Sequence, residues 1–121
     1  MSKKILVVDD EEDIREMVKV LLEDEGYKVS TAADGKSCLA KLKKEKYDLA
    51  LIDMFMPNMS GRTTLEEIRK DPKIKKTKVA FLTIAQFSEH GMAELKQLGI
   101  LDYIKKPIEN EDFKKRIRKL A

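Results

Sequence analysis

The sequence predicts an α/β domain: a parallel five-stranded sheet with helices on both faces. Three observations lead there. Short apolar runs alternate five times with longer segments whose apolar residues recur every three or four positions. Three of the runs, Ile5–Val8, Leu49–Ile52 and Val79–Leu82, are apolar throughout, as strands buried on both faces are. No linker, internal repeat or low-complexity segment interrupts the 121 residues, a length that suits one core.

In chain order, Ile5–Val8 is the first strand, with three β-branched residues among four, ended by Asp9 and Asp10. Ile14, Met17, Val18, Leu21 and Leu22 then recur at helical spacing, and Gly26 closes that helix. Tyr27–Ala32 is a partly polar second strand, as a sheet edge allows. Asp34 and Gly35 turn the chain into a helix with a stripe of Cys38, Leu39 and Leu42. Cys38 reads as a small core residue, since no activating partner lies near it in sequence. Leu49–Ile52 ends at Asp53. Pro57 and Gly61 punctuate the following loop, and Ser60 caps a helix that carries Leu65 and Ile68 and stops at Asp71-Pro72. Val79–Leu82 ends at Thr83. Met92, Leu95 and Leu98 mark a fourth helix closed by Gly99. Tyr103-Ile104 is a short fifth strand, Lys106-Pro107 follows it, and Phe113, Ile117 and Leu120 line the last helix.

Alternating strands and helices give parallel pairing and right-handed crossovers. With five strands, the expected arrangement is a flavodoxin-like (βα)5 three-layer sandwich of strand order 2-1-3-4-5. Its ligand site lies outside the carboxyl ends of the strands, where the order reverses between strands one and three. Asp9, Asp10, Asp53, Thr83 and Lys106 all fall on that rim. Singly, each has an ordinary explanation. An Asp at a strand end caps a helix, Thr is common in strands, and Lys is common throughout this chain. Together they are chemically specific. Three crowded carboxylates need a cation or a proton. Oxygen-only donors suit a hard ion such as Mg2+, which keeps several waters and takes one or two carboxylates plus phosphate; without His or Cys in the pattern, zinc is disfavoured. Metal, lysine and hydroxyl on one rim suit phosphoryl transfer, with a carboxylate itself as a possible acceptor.

Composition narrows the classes. Apolar residues make up 42%, enough for a core, and no run of about 18 of them offers a membrane span. Charged residues reach 39%, rich in Lys and Glu, a bias seen in heat-adapted proteins that also serves solubility. A net charge of +3 is too small to argue for nucleic acid. One cysteine allows no disulfide framework, and the N-terminus lacks a signal-peptide apolar region, so a cytoplasmic location is expected.

These residues resemble the receiver domains of two-component response regulators. The matching blocks are Ile5–Asp10 (ILVVDD), Asp53–Gly61 (DMFMPNMSG), Leu82-Thr83 and Tyr103–Pro107 (YIKKP), and the likeness spans essentially the whole chain, so one receiver domain over residues 1–121 is expected. The resemblance implies that Asp53 is the phosphoacceptor. It implies that Asp10, Asp53 and the backbone carbonyl of Phe55 bind Mg2+, with Asp9 acting largely through water. It implies that Lys106 pairs with the phosphoryl group, and that Thr83 moves onto it while Tyr103 turns inward. The face of helix four, strand five and helix five would then change for a downstream protein. The donor would be a phosphohistidine on a sensor histidine kinase or a phosphotransfer protein, and Lys106-Pro107 is often cis in the family. No direct nucleic-acid or membrane contact is implied, and no DNA-binding segment follows the last helix in these residues.

Departures from the family pattern carry expectations too. Ile84 stands where a small residue is usual, and Phe55 borders the path of an attacking water, so a long-lived phosphorylated state is expected. Ile100 and Leu101 replace small and acidic residues, either as core packing or as apolar area on the output face. His90 and the basic last helix (Lys114, Lys115, Arg116, Arg118, Lys119) read as solvated surface. A signalling module rather than a turnover enzyme is expected. The alternative is a Mg2+-dependent phosphatase or phosphotransferase with an aspartyl-phosphate intermediate. Its Asp-x-Asp pattern is missing at both Asp9-Asp10-Glu11 and Asp53-Met54-Phe55. A flavin carrier of the same fold would want a Ser/Thr/Gly-rich first loop, also missing.

Overall fold

The computed structural model describes residues 2–84 and 88–121. Five strands and five helices alternate: β1 Lys4–Val8, α1 Glu12–Asp24, β2 Lys28–Ala32, α2 Gly35–Lys44, β3 Leu49–Ile52, α3 Gly61–Lys70, β4 Val79–Thr83, α4 Glu89–Gln97, β5 Asp102–Lys105 and α5 Asn110–Leu120. All pairings are parallel and the order is β2-β1-β3-β4-β5, the expected flavodoxin-like topology.

Alternation along the central strands divides the core in two, because successive side chains leave opposite faces of a sheet. Ile5, Val7, Leu49, Leu51, Ala80 and Leu82 face α1 and α5, where Val18, Leu22, Phe113 and Ile117 cover them. Leu6, Val8, Ala50, Ile52, Val79 and Phe81 face α2, α3 and α4, where Cys38, Leu42, Leu65, Ile68 and Leu95 cover them. The three all-apolar runs are therefore buried on both faces, as their composition requires. Cys38 is fully buried, and burial pushes its thiol up to about 12.

The caps explain most boundaries. Asp34, Ser60 and Ser88 each accept a backbone N–H three residues on, starting α2, α3 and α4. Gly26 and Gly99 adopt φ of 95° and 79°, closing α1 and α4. In each case the following N–H bonds back into the helix: Tyr27 to the carbonyl of Leu22, and Ile100 to that of Leu95. This corrects the expected start of β2. Tyr27 spends its N–H on the helix end, and pairing begins at Lys28 opposite Lys4. It also decides the role of Ile100, which packs on the core, while Leu101 stays 48% exposed. The Lys106-Pro107 peptide is cis.

His90 is exposed and pairs with Glu94 at 2.8 Å. The basic face of α5 is partly neutralised: Arg116 bridges Asp102 and Asp112 at 3.0 and 2.9 Å, and Arg118 reaches Glu25 at 3.0 Å.

Candidate functional site

The rim residues are placed by the sheet itself. The N–H of Asp53 donates to the carbonyl of Val8 at 2.9 Å, so β3 and β1 deliver Asp53 beside Asp9. The N–H of Lys106 donates to the carbonyl of Thr83, also at 2.9 Å, extending the β4–β5 pairing by one residue. Asp9, Asp53 and Thr83 are all buried, whereas Asp10 is exposed.

One carboxylate oxygen from each of Asp9, Asp10 and Asp53 lies within 4.8 Å of the others. Lys106 enters this cluster with its side chain only 11% exposed, its Nζ 2.7 Å from Asp9 Oδ2 and 3.7 Å from Asp53 Oδ2. Asp9 also accepts from the N–H of Glu11 at 2.9 Å. Asp53 Oδ1 accepts from the N–H of Phe55 at 3.2 Å. Burial, and then the charge of Asp9, raise the Asp53 carboxyl to about 6. Lys106 and the Phe55 N–H pull it the other way, and Asp10 adds a small upward push. Among the described residues, the Asp10 carboxylate makes no hydrogen bond or ion pair, so it is open to a ligand.

Three carboxylates facing one ammonium leave uncompensated negative charge, with Asp9 and Asp53 buried and Asp10 on the open side. The donors are all oxygens. Both facts fit a hard divalent cation, and the all-oxygen donor set is unlike the nitrogen and sulfur ligands usual for zinc. Gly61 keeps the loop after β3 close to the site: a Cβ there would sit 2.4 Å from the carbonyl oxygen of Asp53 and 2.8 Å from Met54 Cα. Phe55 and Ile84 follow Asp53 and Thr83 on the rim, 60% and 72% exposed. Tyr103 lies half-buried on β5 against the α2–α3–α4 side of the core. The site therefore brings together Asp9, Asp10, Asp53 and Lys106, with Thr83 beside them. Sequence reasoning missed Arg15, whose guanidinium donates to the carbonyl of Asp9 at 2.7 Å. A charged residue on the first turns of a helix gives no sequence signal for such a bond.

Residues 5–118 match the response regulator receiver domain model. The chain belongs to this family. Receiver domains are the phosphorylation-dependent signalling modules of two-component systems, and they interact with histidine kinases and downstream effectors. Chemotaxis protein CheY-3 of Vibrio cholerae is 36% identical over 120 residues, 98% of this chain and 92% of that protein. Transcriptional regulatory protein DltR of Streptococcus agalactiae is 37% identical over 115 residues, 95% of this chain but 50% of that protein. The chain thus spans about half the length of the transcriptional regulators it matches. Among solved structures, Vibrio cholerae CheY4 superposes with a TM-score of 0.91 at 35% identity, covering 100% of both chains. Thermotoga maritima TrrA, solved in complex with Mg2+-BeF, gives 0.83 at 38% identity, covering 98% of this receiver domain and 99% of that chain.

Proposed function

We propose that residues 1–121 form one receiver domain that takes a phosphoryl group on Asp53. The observation that carries this reading is the position of Asp53: buried, crowded by Asp9 and Asp10, and 3.7 Å from the Lys106 ammonium. An Asp53 oxygen attacks the phosphorus of a phosphohistidine, the P–N bond breaks, and the imidazole leaves with the electron pair and takes a proton. Asp10, Asp53 and the carbonyl of Phe55 would hold Mg2+, with Asp9 reaching it through water. When bound, the ion supplies positive charge against the oxygens of the transferring group. Lys106 contributes its ammonium to the same oxygens once it releases Asp9. Thr83 then closes on the phosphoryl group, Tyr103 turns inward, and the α4–β5–α5 face changes for a downstream protein.

The donor is a sensor histidine kinase or a phosphotransfer protein, and the cytoplasmic location expected above belongs to the same reading. The domain acts as a switch and not as a turnover enzyme. The phosphatase alternative wants a second carboxylate two residues after the acceptor, and Phe55 stands there.

Incubation with Mg2+ and a small acyl phosphate, followed by intact mass measurement, tests the assignment. Wild type gains one phosphate and Asp53→Asn gains none. Labelling of the variant at the wild-type rate would refute it.

A further inference from the structure

Charge is distributed unevenly along this chain. Residues 41–48 and 70–78 contain nine lysines, no arginine and three acids, a net charge of +6. The whole chain carries +3, so the rest sums to −3. The first segment leads into β3 and the second into β4, which are neighbours in the sheet. Both therefore lie at the strand-entry pole, at the opposite end of the sheet from Asp53. They meet there: Lys43 reaches Asp71 at 3.5 Å, and both segments line one open depression of about 210 Å³. Leu42, Tyr47 and Ile74 form its half-buried to buried floor, and Lys46, Lys73 and Lys76 its exposed edge. Glu45 also lines it, with its charge held by Lys4 at 2.8 Å.

Helix C-termini attract cations, which accounts for Lys41, Lys43, Lys44 and Lys70. Lys46, Lys73, Lys75 and Lys76 lie beyond the helices, and with Lys44 they make no ion pair or side-chain hydrogen bond among the described residues. Five exposed ammonium groups, three of them on the edge of the apolar floor, concentrate positive charge at this pole. We propose that this pole docks an acidic polypeptide segment carrying one apolar anchor side chain.

Three observations favour that occupant. The floor is apolar, and it offers a small pocket that a single side chain fills. None of the exposed large apolar residues (Met17, Val20, Phe55, Ile84, Leu101) lies in the patch, so nothing there inserts into a lipid surface. The charges are all lysine and the one aromatic, Tyr47, is half-buried, which gives neither the arginine forks nor the stacking platform of a nucleic-acid surface. The pole lies at the opposite end of the sheet from Asp53, so it offers attachment separate from the proposed phosphorylation rim.

Fluorescence anisotropy tests this with a short labelled peptide of alternating Asp and Glu around one central Phe. Duplex DNA and phosphatidylserine–phosphatidylcholine vesicles serve as competing probes. The peptide should bind more tightly than either, and replacing its Phe with Ser should weaken it. Joint substitution Lys46→Gln, Lys73→Gln and Lys76→Gln should weaken it about tenfold. Equal charge removal elsewhere, by Lys36→Gln, Lys96→Gln and Lys115→Gln, should change it less than about twofold. Circular dichroism melts confirm that both variants fold. Equal loss in the two triple variants would reduce the effect to net charge and overturn the proposal, as would tighter binding of DNA or vesicles.

Discussion

Asp53 occupies a position that disfavours its own charge. Its carboxyl is raised to about 6 when folded, against about 3.9 in an unfolded chain. Between those values the folded chain holds a proton that the unfolded chain has released. This group's contribution to stability therefore falls as pH rises from about 4 to about 6, and stays level above. Asp53→Asn removes the penalty. Without metal, the variant should be more stable than wild type by about 1–3 kcal/mol at pH 7.5, with the gap closing toward pH 4. Urea melts across that range measure it, and a gap independent of pH would contradict the buried-charge account. Mg2+ should narrow the gap by stabilising wild type. Phe55 and Ile84, which follow Asp53 and Thr83 in the chain, bear on the proposed phosphorylated state instead. Both side chains are large and exposed, and the long-lived state expected of them requires that they shield a phosphorylated Asp53 from water. Ile84→Ala and Phe55→Asn should each speed dephosphorylation about threefold or more, a barrier change of about 0.6 kcal/mol. Unchanged decay in both would remove the shielding role.

At the scale of elements, α4 is held at its C-terminal end by one residue of α3. Arg69 donates through Nε to the carbonyl of Leu98 at 2.6 Å and through one terminal nitrogen to those of Lys75 and Thr77 at 2.9 and 2.7 Å. Its other terminal nitrogen reaches Gly99 at 3.3 Å. A guanidinium spans four acceptors on two segments, which an ammonium cannot do. Arg69→Ala should destabilise the domain by about 2–3 kcal/mol, and Arg69→Lys should recover less than half of that; thermal melts give both values. This clamp was not legible in the sequence. Its partners lie up to 30 residues away and are backbone carbonyls, which every residue owns. The elements themselves were legible because local rules placed them. Apolar runs made the buried strands, Ser and Asp made the caps, and glycines made the helix ends. The exception was Tyr27, where a helix-closing bond took the N–H that a strand would have used.

At the scale of the whole molecule, both apolar clusters are built on the same five strands. Neither cluster survives loss of the sheet, so the domain should unfold in one step. Calorimetry should give equal calorimetric and van't Hoff enthalpies of about 80–90 kcal/mol near 60 °C. Two resolved transitions would show that the layers melt separately. The candidate site was legible at this scale for one reason: the topology sends the ends of β1, β3, β4 and β5 to a common rim, where Thr83 ends β4 and Asp9, Asp10, Asp53 and Lys106 directly follow the other three strands. What topology could not reveal is the resting partner of Lys106. Asp9 holds it 1.0 Å closer than Asp53 does, at 2.7 against 3.7 Å, a preference set by side-chain reach across 97 residues of sequence.

Cys38 gives this molecule a practical advantage. Burial keeps its thiol protonated at neutral pH, and the side chain is sealed between the sheet and α2. Maleimide or nitroxide reagents will pass it by in the native state. A single cysteine introduced on α4 or β5 can then be tagged without first removing the natural one. Spectroscopic rulers attached there would follow the proposed switching face in an otherwise unaltered chain.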